Sequence, residues 1–167
     1  MEFIVGDVVY INTNPNVLMT VFLIVGSSSV QDLEIHRKMG FTDGDVLCIW
    51  FDGKNFASNI FKNNMVSLKS RSTTRPLFNI GDRVSLKSNP ETIMTVSNVV
   101  GASKEEDKED FHEMGFTDGD VQCTWSTGSN FKILFLYAAM LEKKGSMPFS
   151  GKKIIQFPSH LSVKSKS

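Results

Sequence analysis

Two acidic pairs, Asp43-Gly44-Asp45 and Asp118-Gly119-Asp120, are the residues of this chain whose type and spacing come closest to a cation site. A calcium loop needs further oxygen ligands at set positions and a bidentate Glu at loop position twelve, and neither run supplies them. Asp accepts backbone N–H bonds in turns and Gly reaches positive φ, so the spacing predicts a tight turn. Trp50 and Trp125 raise a second chemistry, an aromatic cage or a platform for stacked bases. By the two-residue period of a strand, however, Trp50 shares a face with Val46 and Cys48, and Trp125 with Val121 and Cys123. Valine and cysteine on that face predict burial in a core. Cys48 and Cys123 are the only cysteines. A disulfide between them would have to join two separate interiors, so both are expected to be inert buried thiols. No Cys/His set recurs at metal-ligand spacing, no Ser/His/Asp or Cys/His set recurs, and no glycine-rich phosphate loop precedes a helix. The expectation is a non-enzymatic protein with no catalytic residue, no metal and no cofactor.

The elements that carry these residues are written twice. The run from Met39 to Trp50 returns as Met114 to Trp125 with Gly-Phe-Thr-Asp-Gly-Asp-Val intact, and 29 of 67 positions match without a gap when residues 3–69 are laid on 78–144. A chain of 167 residues with a 75-residue period divides into repeat one at 1–70, repeat two at 76–144 and a C-terminal tail at 145–167. Units of this size sit near the lower limit of a self-sufficient core, so the two are expected to lean on each other.

Within each copy, Gly-Asp opens an alternating strand, Val9-x-Ile11 or Val84-x-Leu86, and Asn14-Pro15 or Asn89-Pro90 predicts the turn that ends it. A second strand runs from Leu18 through Val25, or Ile93 through Val100. Capping boxes at Ser29-x-x-Asp32 and Ser103-x-x-Glu106, with Val30, Leu33, His36 and Met39 at helical spacing, predict a short inserted helix closed by Gly40 or Gly115. The third strand spans Asp45 to Phe51, Asp52-Gly53 turns into a fourth near Asn55 to Phe61, and Met65 to Leu68 forms a fifth. The fold class is therefore mostly β: two tandem small SH3-like β-barrels, each with a short helix between strands two and three.

The order Gly6-Asp7-x-Val9, Pro15, Met19-Thr20-Val21 and Val46-x-Cys48-x-Trp50-Phe51-Asp52 resembles the YodC-like family of small uncharacterised bacterial proteins. The second copy carries the same order from Gly81 to Trp125 but departs at Ser126 and Thr127. The resemblance covers about two-thirds of each unit; it implies a small β-rich domain and no established activity.

The sharper functional signal comes from positions where the copies differ. Opposite the Val-Cys-Trp face the first copy has Leu47, Ile49 and Phe51 where the second has Gln122, Thr124 and Ser126, and Phe22, Leu23 and Tyr10 face Ser97, Asn98 and Ser85. The second copy has the converse excess, with Ile133, Leu134 and Tyr137 at the positions of Ser58, Asn59 and Lys62. Tyr10, Phe22, Leu47, Ile49, Phe51, Ile133, Leu134 and Tyr137 are thus candidate interface residues, expected to meet within one chain or across a dimer. Should they not meet, they are expected to bind a protein partner.

Charge points the same way. The net charge is zero, but repeat one carries five basic against seven acidic residues and repeat two seven against eleven, while the linker 71–75 and the tail are basic. A phosphate-binding face demands the reverse. A binding or adaptor protein is the leading expectation, and a nucleic-acid module using the linker and tail is the alternative. No apolar run reaches membrane-spanning length, and the strand pattern begins where a signal peptide would stand, so a cytoplasmic location is expected.

Overall fold

The computed structural model describes residues 2–27, 30–102 and 105–146, with backbone alone at 30–33, 105–108 and 146. The residues Ser29 and Ser103 of the two capping boxes and the apolar run of the tail lie outside the described residues.

The first copy folds as β1 (Val8–Ile11), β2 (Asn14–Ile24), α1 (Val30–Lys38), β3 (Val46–Phe51), β4 (Phe56–Phe61) and β5 (Val66–Ser70). The second repeats this as β6 (Asp82–Leu86), β7 (Asn89–Val99), α2 (Glu105–Glu113), β8 (Val121–Thr127), β9 (Asn130–Leu136) and β10 (Leu141–Ser146). All pairs are antiparallel, and the sheets run β4-β3-β2-β1-β5 and β10-β6-β7-β8-β9. Among the described residues no ladder joins β4 to β5 or β9 to β10, so each five-stranded sheet keeps two edges. The architecture is mostly β, with the helix between the second and third strands of each copy.

The first hairpin differs from its expected form. The pairs Ile11↔Asn14 and Leu86↔Asn89 close two-residue turns before Asn-Pro, so Pro15 and Pro90 lie inside β2 and β7. They are tolerated because β2 meets β3 only from Thr20 onward, and β7 meets β8 only from Thr95, leaving the proline's missing N–H unneeded on that side.

The helices end as their glycines predict. Gly40 donates to Arg37 O and Phe41 to His36 O, with φ of 82° at Gly40; Gly115 and Phe116 repeat both bonds. This 5→2 and 6→1 pair is a Schellman motif, which needs the left-handed conformation that glycine adopts without a Cβ penalty. Met39 therefore belongs to an exposed cap rather than to a buried helix face, and Met114 does likewise.

Inward positions fill as alternation requires. Val9, Met19, Val21, Val46 and Cys48 are closed to solvent in the first sheet, as are Val84, Met94, Val96, Val121 and Cys123 in the second. Trp50 and Trp125, expected inside with them, are half-buried, because each stands near the open end of its strand, one pair from the β3–β4 hairpin end or two from that of β8–β9.

Candidate functional site

Each copy is tied shut by two buried aspartates. Asp45 Oδ2 accepts from the Thr42 N–H and hydroxyl while Oδ1 accepts from the Asn63 N–H at 2.9 Å; Asp120 does the same with Thr117 and with Ala138 N at 2.7 Å. These bonds fasten the loop before the third strand to the 3-10 turn before the fifth, at Asn63–Met65 or Ala138–Met140. Burial alone would raise the Asp45 pKa, but the Thr42 and Asn63 N–H groups and the Lys62 ammonium at 3.2 Å outweigh it and hold the carboxyl below its usual range. Asp7 and Asp82 brace the opposite loop through the N–H groups of Ile4 and Asn79. Asp43 lies outside with Arg37 at 3.3 Å. The Asp-Gly-Asp runs thus serve as turns, with the second carboxylate held by backbone N–H groups, a threonine hydroxyl and a neighbouring cation. Among the described residues no three His, Cys, Asp or Glu side chains gather where they could hold a metal.

Cys48 and Cys123 are free and buried, and burial pushes both thiols up to about 12. At neutral pH such sulfurs are not nucleophiles.

The linker arginines have partners. Arg71 sits 3.3 Å from Asp7 and donates to Glu2 O, while Arg75 sits 3.1 Å from Asp120 and donates to Thr117 Oγ1 and Asp118 O. Between them Ser72 donates its N–H to Asp7 Oδ1 and its hydroxyl to Ala139 O, and Lys87 Nζ reaches Ala139 O at 2.6 Å and Ser72 Oγ at 2.7 Å. Burial lowers the Lys87 pKa, opposed by the charges of Asp7 and Glu142. The chain passes from copy one to copy two through a hydrogen-bonded knot rather than a free linker.

Around that knot the two copies pack. Ile49 is 6% exposed and belongs to the core cluster of the second copy, joined by Val5, Phe22 and Phe56 from the first and by Trp125, Leu134 and Tyr137 from the second. Phe22 occupies a bulge in β2, which re-aims its ring so that it meets Tyr137 with centroids 5.1 Å apart. Phe56 stands edge-on to Trp125 at 4.7 Å. The indole nitrogen of Trp125 is shut from solvent with no acceptor among the described residues. Thr20 donates to Ser88 across the same contact at 2.7 Å.

Of the eight candidate interface residues, Phe22, Ile49, Leu134 and Tyr137 thus come together inside the chain. Tyr10, Leu47 and Phe51 are half-buried in the first sheet, where Phe51 packs edge-on against Phe56. Ile133 remains 61% exposed. The comparison between copies missed Phe56, because its counterpart Phe131 is the same residue, and missed the seam role of Trp125 for the same reason. Only positions that differ between the copies carry that signal.

Beside the seam lies an open apolar groove of about 490 Å³, lined by Phe22 and Leu23 of β2, Met114 and Phe116 after α2, and Ile133 to Phe135 with Tyr137. Tyr137 packs on Phe116 at 4.9 Å, Phe116 on Phe135 at 5.5 Å and Phe135 on Phe111 at 4.8 Å, so a continuous run of rings crosses from copy one to α2. The first copy lacks it: Lys62, at the position of Tyr137, places its ammonium over the Phe41 ring at 5.2 Å. Strand β9 forms one wall and, among the described residues, is a sheet edge. Along it Phe131 and Ile133 point out at 82% and 61% exposure. No helix among the described residues is long and apolar enough to cross a membrane. No family model, no curated protein and no solved structure matches the chain.

Proposed function

We propose that the protein is a non-enzymatic binding or adaptor protein, two YodC-like units of SH3-like kind docked into one body, whose recognition surface is the aromatic groove at the seam together with the edge of β9. The single observation that carries this reading is the groove itself: apolar rings brought together by both copies, open to solvent at Met114 and Ile133, and bordered by a strand whose outer edge is unpaired among the described residues. An edge strand offers backbone donors and acceptors to an incoming extended segment, and flanking apolar pockets select its alternate side chains. The partner is therefore an extended, apolar stretch of another protein. The strand order, with a 3-10 turn before the last strand, supports the SH3-like assignment. We place the protein in the cytoplasm, a reading that its two unpaired thiols suit. Phosphate binding through the linker is the weaker reading, because Arg71 and Arg75 already face carboxylates.

The test is selection of peptides from a display library on the full chain, repeated on Ile133→Asp. Enrichment of extended apolar sequences that bind the parent and lose at least tenfold affinity for the variant is the expected result. No enrichment, or binding indifferent to Ile133→Asp, overturns the reading.

A further inference from the structure

The seam is built from unlike surfaces, and its two halves have counterparts that the other copy leaves open. On copy one, the side carrying Val5, Phe22, Ile49 and Phe56 is covered by copy two. The matching side of copy two carries Ile80, Ser97, Thr124 and Phe131, and there Ile80 and Phe131 are 63% and 82% exposed. The pairs Thr124↔Ile133 and Ser126↔Phe131 put Ile133 on the same side as Phe131. Copy two therefore presents an equivalent of the surface that copy one buries, uncovered among the described residues.

We infer that this surface is covered by the chain's own segment after Ser146, with Ile155 and Phe157 laid over Ile133 and Phe131. Three observations converge on that occupant. The first is position: in copy one the chain leaves β5 and runs through Ser72 into the unit that covers Phe56, and in copy two it leaves β10 at the equivalent place. The second is reach and spacing. β10 and β9 are four strand steps apart, about 19 Å, and the eight residues 147–154 span up to about 28 Å when extended. Ile155 and Phe157 alternate at two residues, as do Ile133 and Phe131, so an extended segment matches the row. The third is charge: the segment brings Lys152, Lys153, Lys164 and Lys166 to a repeat that carries seven basic against eleven acidic residues. A segment held there also occupies one border of the groove proposed above as the recognition surface, so the inference deepens that reading by naming a built-in competitor.

The test uses the full chain with Ser159→Cys carrying a nitroxide label, which the two buried thiols do not take up. Amide signals of Phe131 and Ile133 are expected to broaden severalfold more than those of β1, and Phe157→Asp and Phe131→Asp each abolish the difference. Phe131 lies outside the buried core, so its variant still folds. Uniform broadening overturns the inference. So does broadening that arises only when labelled chains are mixed with unlabelled ones, since the occupant is then a second copy. The measurement needs no partner, so it stands or falls apart from the peptide selection.

Discussion

Ile49→Ala tests whether the two copies are one thermodynamic body. Ile49 is 6% exposed and packs in the core cluster of the second copy although its strand belongs to the first. Removing a nearly fully buried isoleucine side chain to the Cβ costs about 2–5 kcal/mol, and about 3 is expected at a seam that can partly relax. With a urea slope of about 1–3 kcal/mol/M, the midpoint falls by about 1–3 M. The chain has two tryptophans, one per copy, so Trp50→Phe leaves Trp125 as sole reporter of the second copy. Urea unfolding followed by Trp125 fluorescence then reads in copy two a change made in copy one. The expected outcome is a single transition shifted by the full amount. An unmoved Trp125 midpoint refutes the coupling and makes the seam a contact without energetic weight.

Two further perturbations separate local from shared effects. Gly6 and Gly81 have φ of 90° and 91°, but a Cβ at Gly6 would meet Ala139 O at 2.2 Å while one at Gly81 meets nothing within 4 Å among the described residues. Gly81→Ala should lower stability by the backbone cost alone, about 1–2 kcal/mol, and Gly6→Ala by clearly more, measured by urea unfolding of both variants; equal losses would show that the copies do not approach there. Asp45→Asn should destabilise by about 1–3 kcal/mol at pH 7, the range for losing charge-assisted hydrogen bonds. Because the folded carboxyl titrates below its ordinary value, its contribution is complete above about pH 4 and disappears as pH falls through the folded pKa. Thermal melts of parent and variant should therefore converge only in acid, and a constant gap from pH 7 to pH 2 would rule out the charge as its source.

The repeat made much of the fold legible. Two copies of Val-x-Cys-x-Trp aligned without a gap, and glycines at the end of each helical period located five strands and an inserted helix per copy close to where they lie. Local chemistry misplaced the first turn: Asn-Pro reads as a break, yet Pro15 fits a strand whose neighbour begins only at Thr20. The tryptophans were read as core from alternation alone, but alternation gives the face and not the depth, and both rings stand near strand ends. The groove was the least legible feature. Phe111, Phe116 and Phe135 come together only after α2 folds back over β9, and nothing in their spacing brings them to Tyr137.

The seam also explains why the copies diverged where they did. It is head-to-tail: one side of copy one meets a different side of copy two, and such a contact between identical units repeats without closing. The outer ends of the pair carry the counterparts of both surfaces, so two identical copies would present a sticky head and a sticky tail. Asn59, Lys62 and Asn64 stand on copy one where Leu134, Tyr137 and Ala139 stand on copy two, and Ser97 and Thr124 stand on copy two where Phe22 and Ile49 stand on copy one. Polar residues thus replace part of the apolar surface at each end, as terminal units do in repeat arrays. Restoring the lost surfaces with Asn59→Leu, Lys62→Tyr and Asn64→Ala at one end and Ser97→Phe and Thr124→Ile at the other should produce concentration-dependent chains. Sedimentation velocity is expected to show species growing in steps of one chain for the combined variant, and growth suppressed when either end alone is changed. If the five-fold variant keeps the parental mass at every concentration, the polar positions are not caps, and the two copies meet through contacts that cannot be repeated.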